Sequence, residues 1–142
     1  MSTEENKTIV RRFFELYDSG QIDTIEQELL APHVVVHLSG MPAPLDREAF
    51  KQSGLAFHAA FPDHHSVIES QIAEGDMVVT RSTFFGTHLN ELQGIPPTGK
   101  QVTFTQVNIQ RLGNGKILEA WALFDQFSLL QQLGVIPIPG QA

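Results

Sequence analysis

Asp125 has the sequence surroundings that most suggest acid–base chemistry. It lies in the apolar segment ALFDQF, and a strand through 116–127 would place it on the same face as Glu119 and Trp121. A carboxylate held in an apolar pocket can act as a general base or acid near neutral pH. Asp125 also directly precedes QFSLLQQL, so it is equally a candidate cap for a terminal helix. Both interpretations stand on the sequence alone.

The histidines offer a second set of candidates. His37, in the segment VVVHLS, is either a pocket residue acting in acid–base chemistry or a hydrogen-bonded core histidine. His64 and His65 are adjacent, so a strand would send them to opposite faces, whereas His33 and His37 would share one face. We expect no metal site, because the possible ligands are not clustered and the chain has no cysteine.

Gln106 and Asn108 are candidates for hydrogen bonding to a ligand. In the predicted strand 101–112, the apolar residues change from even-numbered positions, up to Phe104, to odd-numbered positions at Val107 and Ile109. Either a bulge lies near Thr105 and Gln106, or one face of the strand becomes polar and presents both amides. The sequence favours the bulge, which would leave both amides exposed to solvent.

Arg81 lies between apolar neighbours in MVVTRSTFF. It could pair with a carboxylate, bind an anionic substrate, or extend its charged end to solvent. Several aromatic residues follow helical spacing and are core residues by default, although some could line a flat apolar cavity; these are Phe13, Phe14, Tyr17, Phe50, Phe57 and Phe61.

Composition excludes several classes of function. The net charge is −7 and the isoelectric point is about 5.2, which disfavours binding to nucleic acid or to an anionic membrane surface. The polar start MSTEENKT carries no secretory signal, so we expect a cytoplasmic protein. The chain lacks G-x-G-x-x-G, G-x-x-x-x-G-K-[ST] and G-x-S-x-G, so no nucleotide cofactor is expected.

The elements that would position these residues form an α+β layout. Apolar spacing predicts helices over 4–18, 22–30 and 47–60, with a strand at 33–39 between the last two. Four further strands are predicted over 64–74, 77–88, 101–112 and 116–127. A short helix at 127–133 and a Pro-rich tail at 135–142 follow them. We expect these elements to form one domain, 1–142, in which helices pack on one side of a curved sheet. The concave side of such a sheet is suited to a small ligand.

Four segments together resemble the SnoaL-like polyketide cyclases, also called ester cyclases, of the NTF2-like superfamily. The segments are AFPDHH, AEGDMVVTRSTFFGTH, GIPPTGKQV and NGKILEAWALFDQFSLLQQLG. The resemblance runs from the first helix to Gly134. It implies a cone in which a bent, mostly antiparallel sheet surrounds a deep cavity closed by N-terminal helices.

The resemblance also implies an activity. Characterised members close a ring by an intramolecular aldol reaction on an aromatic polyketide ester, without metal or cofactor. Their acid–base Asp, in the pattern E-x-W-x-x-x-D, matches Asp125. The histidine that assists it is expected on the strand before, where this chain has Gln106 and Asn108 instead.

The resulting hypothesis is that Asp125 removes a proton alpha to a carbonyl of a small hydrophobic substrate stacked against Trp121. His37, His88 or Asn108 would stabilise the enolate oxygen. Two alternatives are a small-molecule binding protein without chemistry, and an association module that pairs through the outer face of the sheet. In each case we expect a homodimer or a higher homo-oligomer.

Overall fold

The computed structural model describes residues 2–137 and 140. Helix α1, Thr3–Asp18, begins with a capping box in which Ser2 accepts from the Glu5 N–H and the Glu5 carboxylate accepts from the Ser2 N–H. Helix α2, Ile22–Thr24, continues into a π-helical turn, Ile25–Leu29, where the sequence predicted one helix over 22–30. Helix α3, Arg47–Ala60, has the predicted bounds and is capped by Asp46. Of the tail predicted at 135–142, residues 138, 139, 141 and 142 lie outside the described part.

Five strands form one sheet in the order β1-β5-β4-β3-β2. Their bounds are Leu30–Leu38, His65–Glu74, Met77–Thr87, Gln101–Gly113 and Lys116–Phe124 for β1 to β5. All neighbouring pairs are antiparallel except β1 with β5, which is parallel. Helix α4, Gln126–Gln132, ends the regular structure. The expected α+β fold with a mostly antiparallel sheet is confirmed.

The helices close over one face of this sheet, called here the inner face. The larger of two buried clusters joins Val10 and Phe14 of α1 to Val36, Val78 and Ala120 of the sheet. The second cluster lies toward α4 and contains Phe61, Phe84, Phe104 and Leu129 among others. Within the residues that the structure describes, no helix is both long and apolar enough to cross a membrane.

Phe61 is fully buried in the second cluster, with its ring 5.0 Å from that of Phe57 and 5.6 Å from that of Phe84. We therefore expect Phe61→Ala to lower the free energy of unfolding by about 3–5 kcal/mol, measured by urea denaturation. Phe127→Ala is the matched control, since Phe127 is 59% exposed and its truncation should change stability by less than about 0.5 kcal/mol. Equal effects of the two substitutions would contradict this placement of Phe61.

Candidate functional site

A cavity of about 210 Å³ lies between the inner face of the sheet and helices α1 and α3. Its apolar wall is mostly aromatic. The aromatic residues that line it are Phe13, Phe14, Tyr17, Phe50, Phe57, Phe84, Phe104 and Phe124. Of the six aromatic residues that helical spacing offered as core or cavity lining, five are thus in the wall: Phe13, Phe14, Tyr17, Phe50 and Phe57. Phe61 packs behind it in the core.

The polar wall of the cavity comes from β4 and β2. Strand β4 pairs with β3 without a register shift from Met77↔Arg111 to Thr87↔Gln101, so the expected bulge at Thr105 and Gln106 is wrong. Alternation then sends Gln106 and Asn108 inward, where both line the cavity. The alternation of apolar positions changes along β4 because the inner face of the strand becomes polar at Gln106 and Asn108.

Val107 and Ile109 occupy the opposite face of β4. Their neighbours in the register are Leu123 and Trp121 of β5. These apolar side chains therefore belong to the outer face of the sheet, which the helices do not cover. The sequence pattern looked like a bulge because this second apolar row is on the uncovered face.

Ser66 adds a hydroxyl to this wall and was not predicted. Its hydroxyl accepts from the Gln106 Nε2 at 3.0 Å, and both residues line the cavity. The Asn108 Oδ1 is buried without a hydrogen-bond partner among the described residues. Ser66 could have been found from its place two residues before Ile68, which packs against the core and so shares its face.

Tyr17 adds the one ionisable side chain among the described residues that line the cavity. Burial, and secondarily the negative charge of Asp18, raises the pKa of the Tyr17 phenol above its usual 10.0. The phenol is therefore neutral at physiological pH and can donate a hydrogen bond. With serine hydroxyls and carboxamides as its other polar groups, this wall offers dipoles rather than charges.

Of the two positions that the sequence left open for Asp125, the structure confirms the helix cap and not the buried pocket position. It is exposed and caps α4, with its Oδ1 accepting from the Ser128 N–H at 2.9 Å. The expectation of burial fails because the strand ends at Phe124, so the alternation that would have placed Asp125 in the sheet stops one residue earlier. Both chain neighbours of Asp125, Phe124 and Gln126, line the cavity.

The mouth of the cavity lies near this acid. Gly40, Met41 and Gln93 line the cavity and are exposed, which marks where it opens to solvent. Gly40 has φ +84°, a backbone conformation that favours glycine, and it lies against the Gln126 side chain.

His37, Trp121 and Arg81 are placed on the outer face of the sheet, outside the cavity wall. The His37 ring stacks on Trp121 at 5.3 Å, and its Nε2 lies 2.9 Å from the Glu119 carboxylate. This hydrogen bond, with a smaller contribution from Arg111, holds the pKa of Glu119 below its usual value. The proposed substrate contacts of these three residues stay predictions, and other residues line the cavity.

His88 is fully buried but does not line the cavity. Its Nδ1 accepts from the Thr98 N–H at 3.2 Å, and the Thr98 hydroxyl lies 3.0 Å away. The contact closes the loop 89–97, and Leu92 and Ile95 in that loop line the cavity. His88 therefore supports the loop rather than touching the space inside. Its direct binding of substrate stays a prediction.

No three His, Asp or Glu side chains come together as a metal site within residues 2–137 and 140. The site as built can bind a flat apolar molecule between aromatic rings. It can also donate hydrogen bonds to an oxygen of that molecule from Gln106, Asn108 and Tyr17.

Comparison with known proteins agrees with the resemblance. The sequence model of the SnoaL-like polyketide cyclases matches residues 7–133. The chain belongs to this family. It is 29% identical over 139 residues to the aklanonic acid methyl ester cyclase DnrD of Streptomyces peucetius, covering 94% of this chain and 92% of the relative.

Solved structures extend the similarity to the fold. IdmH of Streptomyces antibioticus is 34% identical to this SnoaL-like chain, with a TM-score of 0.81, covering 91% of this chain and 98% of IdmH. AclR of Streptomyces galilaeus is 26% identical, with a TM-score of 0.86, covering 96% of this chain and all of AclR. The SnoaL-like fold expected from the sequence is therefore confirmed.

Because Tyr17 is the single tyrosine of the chain, its ionisation can be read directly from phenolate absorbance near 295 nm. We expect the folded protein to show little phenolate at pH 10.0, where the unfolded chain is half ionised. Unfolding then releases a proton, so the stability that Tyr17 contributes is complete below pH 10.0 and is lost as the pH rises toward the raised pKa.

Tyr17→Phe is the control for this titration, since it removes the absorbance change and that part of the alkaline loss of stability. A normal titration midpoint near pH 10.0 in the folded protein would contradict the burial of the phenol.

Proposed function

We propose that the protein closes a ring in a small aromatic polyketide ester by an intramolecular aldol reaction. Family membership and the names of the curated relatives, two aklanonic and one nogalonic acid methyl ester cyclase, support this proposal. The observation that carries it is a cavity with aromatic walls in which the polar groups are amides, hydroxyls and a neutral phenol. Such a cavity suits an uncharged, flat molecule with carbonyl oxygens.

The reaction needs a proton acceptor and a stabilised oxygen. A base takes a proton from a carbon next to a carbonyl, and the resulting enolate carbon attacks a second carbonyl of the same molecule. One carbon–carbon bond forms, the attacked oxygen becomes an alkoxide, and the proton returns to it. No oxidant, reductant or second substrate is consumed.

Gln106 and Asn108 are suited to bind the oxygen on which negative charge develops. Each projects an amide from the rigid centre of β4, and the hydrogen bond to Ser66 orients Gln106 before a substrate arrives. Preorganised donors of this kind stabilise the transition state more than the substrate, because the charge develops during the reaction. They take the place of the assisting histidine that the family resemblance implies.

Asp125 is the proposed base, acting at the mouth of the cavity. It stands between two residues of the cavity wall, and its hydrogen bond to Ser128 engages the Oδ1, so the Oδ2 is the oxygen available to a substrate. A carboxylate suffices as the base where the carbon that loses the proton is flanked by two carbonyl groups, since both then stabilise the negative charge. This role for Asp125 requires that a substrate seated between the aromatic rings presents that carbon toward the mouth.

Replacing Asp125 by Asn tests the base. Asn caps a helix as well as Asp does, so Asp125→Asn should keep α4 and the thermal stability of the protein. We expect it to lower kcat on aklanonic acid methyl ester by about 10²–10⁴-fold, the usual contribution of general base catalysis, measured by chromatography of the cyclised product.

Asp46→Asn is the matched control, since Asp46 is also an exposed aspartate that caps a helix, but neither of its chain neighbours lines the cavity. It should retain the kcat of the unsubstituted protein. Full activity of Asp125→Asn would exclude Asp125 as the base. If the unsubstituted protein does not turn over this ester or nogalonic acid methyl ester, the proposed reaction is wrong for these substrates.

We further propose that the protein forms a homodimer through the outer face of the sheet. This face carries apolar side chains that the helices leave uncovered, among them Val67, Phe85 and Leu123, which are 46%, 37% and 50% exposed. A broad apolar surface on a sheet is typical of a contact between copies. His37 and Trp121 on the same face would then lie in or near that contact.

Leu123→Glu should shift the protein toward monomer, because it places a charge among the apolar side chains of the proposed contact. Light scattering after size exclusion would show a mass near twice 15.8 kDa for the unsubstituted protein and a lower mass for the variant. Leu89→Glu is the control, since Leu89 is 48% exposed but lies in the loop after β3. A monomeric unsubstituted protein would contradict the proposal.

A further inference from the structure

A line of polar groups runs behind the aromatic wall of the cavity. The His64 side chain is fully buried, and its Nε2 lies 3.1 Å from the Nδ1 of His58 on α3. On its other side, the His64 Nδ1 lies 3.6 Å from the Oδ1 of Asp18, the last residue of α1. The carboxylate favours a proton on the His64 Nδ1, so the Nε2 accepts from the His58 N–H.

His64 is surrounded by three residues of the cavity wall. Its ring centre lies 5.5 Å from that of Tyr17, 6.0 Å from that of Phe57 and 5.7 Å from that of Phe84. A phenylalanine would fill this aromatic environment without any polar atom to satisfy. The His64 Nδ1 and the Asp18 Oδ1 are both buried without a hydrogen-bond partner among the described residues, a cost that packing alone does not explain.

The second oxygen of Asp18 leads to the cavity. The Asp18 Oδ2 accepts from the Ser66 N–H at 3.0 Å, and the Ser66 hydroxyl accepts from the Gln106 Nε2 at 3.0 Å. Ser66 and Gln106 both line the cavity, whereas Asp18 and His64 do not. The carboxylate therefore connects the end of α1 to the polar wall on the sheet through two hydrogen bonds.

We propose that Asp18 is a positioning residue, held in place by His64, that fixes Ser66 and thereby orients the Gln106 amide toward the substrate oxygen. This inference rests on the proposed function, because it explains how the amide is aligned for that oxygen. His58 contacts the ring nitrogen of His64 that faces away from Asp18. Its ring lies so close to Gly20, at φ +75°, that a Cβ there would come within 2.5 Å of the His58 Nε2.

The test compares Asp18→Ala with Asp18→Asn in the full chain. The Asn side chain keeps an oxygen for the Ser66 N–H, whereas Ala removes it. We expect Asp18→Ala to weaken binding of the flat probe 1,8-dihydroxyanthraquinone about tenfold by calorimetry, the effect of losing one aligned hydrogen bond. Asp18→Asn should restore binding to within about threefold of the unsubstituted protein.

Asp63→Ala is the matched control. Asp63 also accepts from a strand N–H, that of Thr87 at 2.8 Å, but it lies outside the wall of the cavity. Its loss should leave probe binding unchanged. If Asp18→Ala does not fold, Asp18→Ser replaces it, because the shorter side chain cannot span the distance to the Ser66 N–H.

A ligand-free measurement separates this proposal from the cyclase reaction. In NMR spectra, the side-chain amide signals of Gln106 should move in Asp18→Ala and stay close to their original positions in Asp18→Asn and Asp63→Ala. If these signals move as expected but no ester is cyclised, only the proposed reaction fails. Unchanged Gln106 signals in Asp18→Ala, or Asn no better than Ala in binding, would overturn the positioning role.

Discussion

The unbroken pairing of β3 with β4 is the constraint on which the rest of the site depends. Because the register holds from Met77 to Thr87, every second residue of β4 faces the helices. Apolar Val102 and Phe104 fill the space near α4, and the amides of Gln106 and Asn108 follow on the same face. One inserted residue would exchange these amides for Val107 and Ile109 and remove both amides from the polar wall.

In the proposed reaction the polar wall gains its effect from the surrounding walls, which are aromatic and uncharged. In such a setting a fixed amide dipole interacts with a developing negative charge more strongly than it would in water. The ionised side chains near the site are set apart from it. Asp125 is at the mouth, and Asp18 lies behind the wall with one oxygen turned to Ser66. The charge needed for acid–base chemistry is therefore separated from the dipoles that would bind the substrate.

Much of the fold could be predicted from local signals. The bounds of α3 follow from the cap at Asp46 and the spacing of Ala49, Phe50 and Phe57, and they match the structure. The tight turns predicted at Gly75 and Asn114 place the ends of the neighbouring strands within one residue of their positions in the structure. Both residues have positive φ, as such turns require. At Asp125 the sequence left two positions open, because only the length of β5 decides whether the residue is in the sheet or in the helix cap.

The amino-acid sequence by itself determined the order of the elements, the family and the residue types available, since these depend on spacing, turn chemistry and motif. Tertiary structure decided which of these residues meet. His64 looked like one of two adjacent histidines, and Asp18 like the end of a surface helix. They meet each other and Ser66 because of the way α1 crosses the sheet. Asp18 lies 46 positions before His64 in the sequence and 48 positions before Ser66. No local pattern encodes such a contact, because it depends on how the whole chain packs.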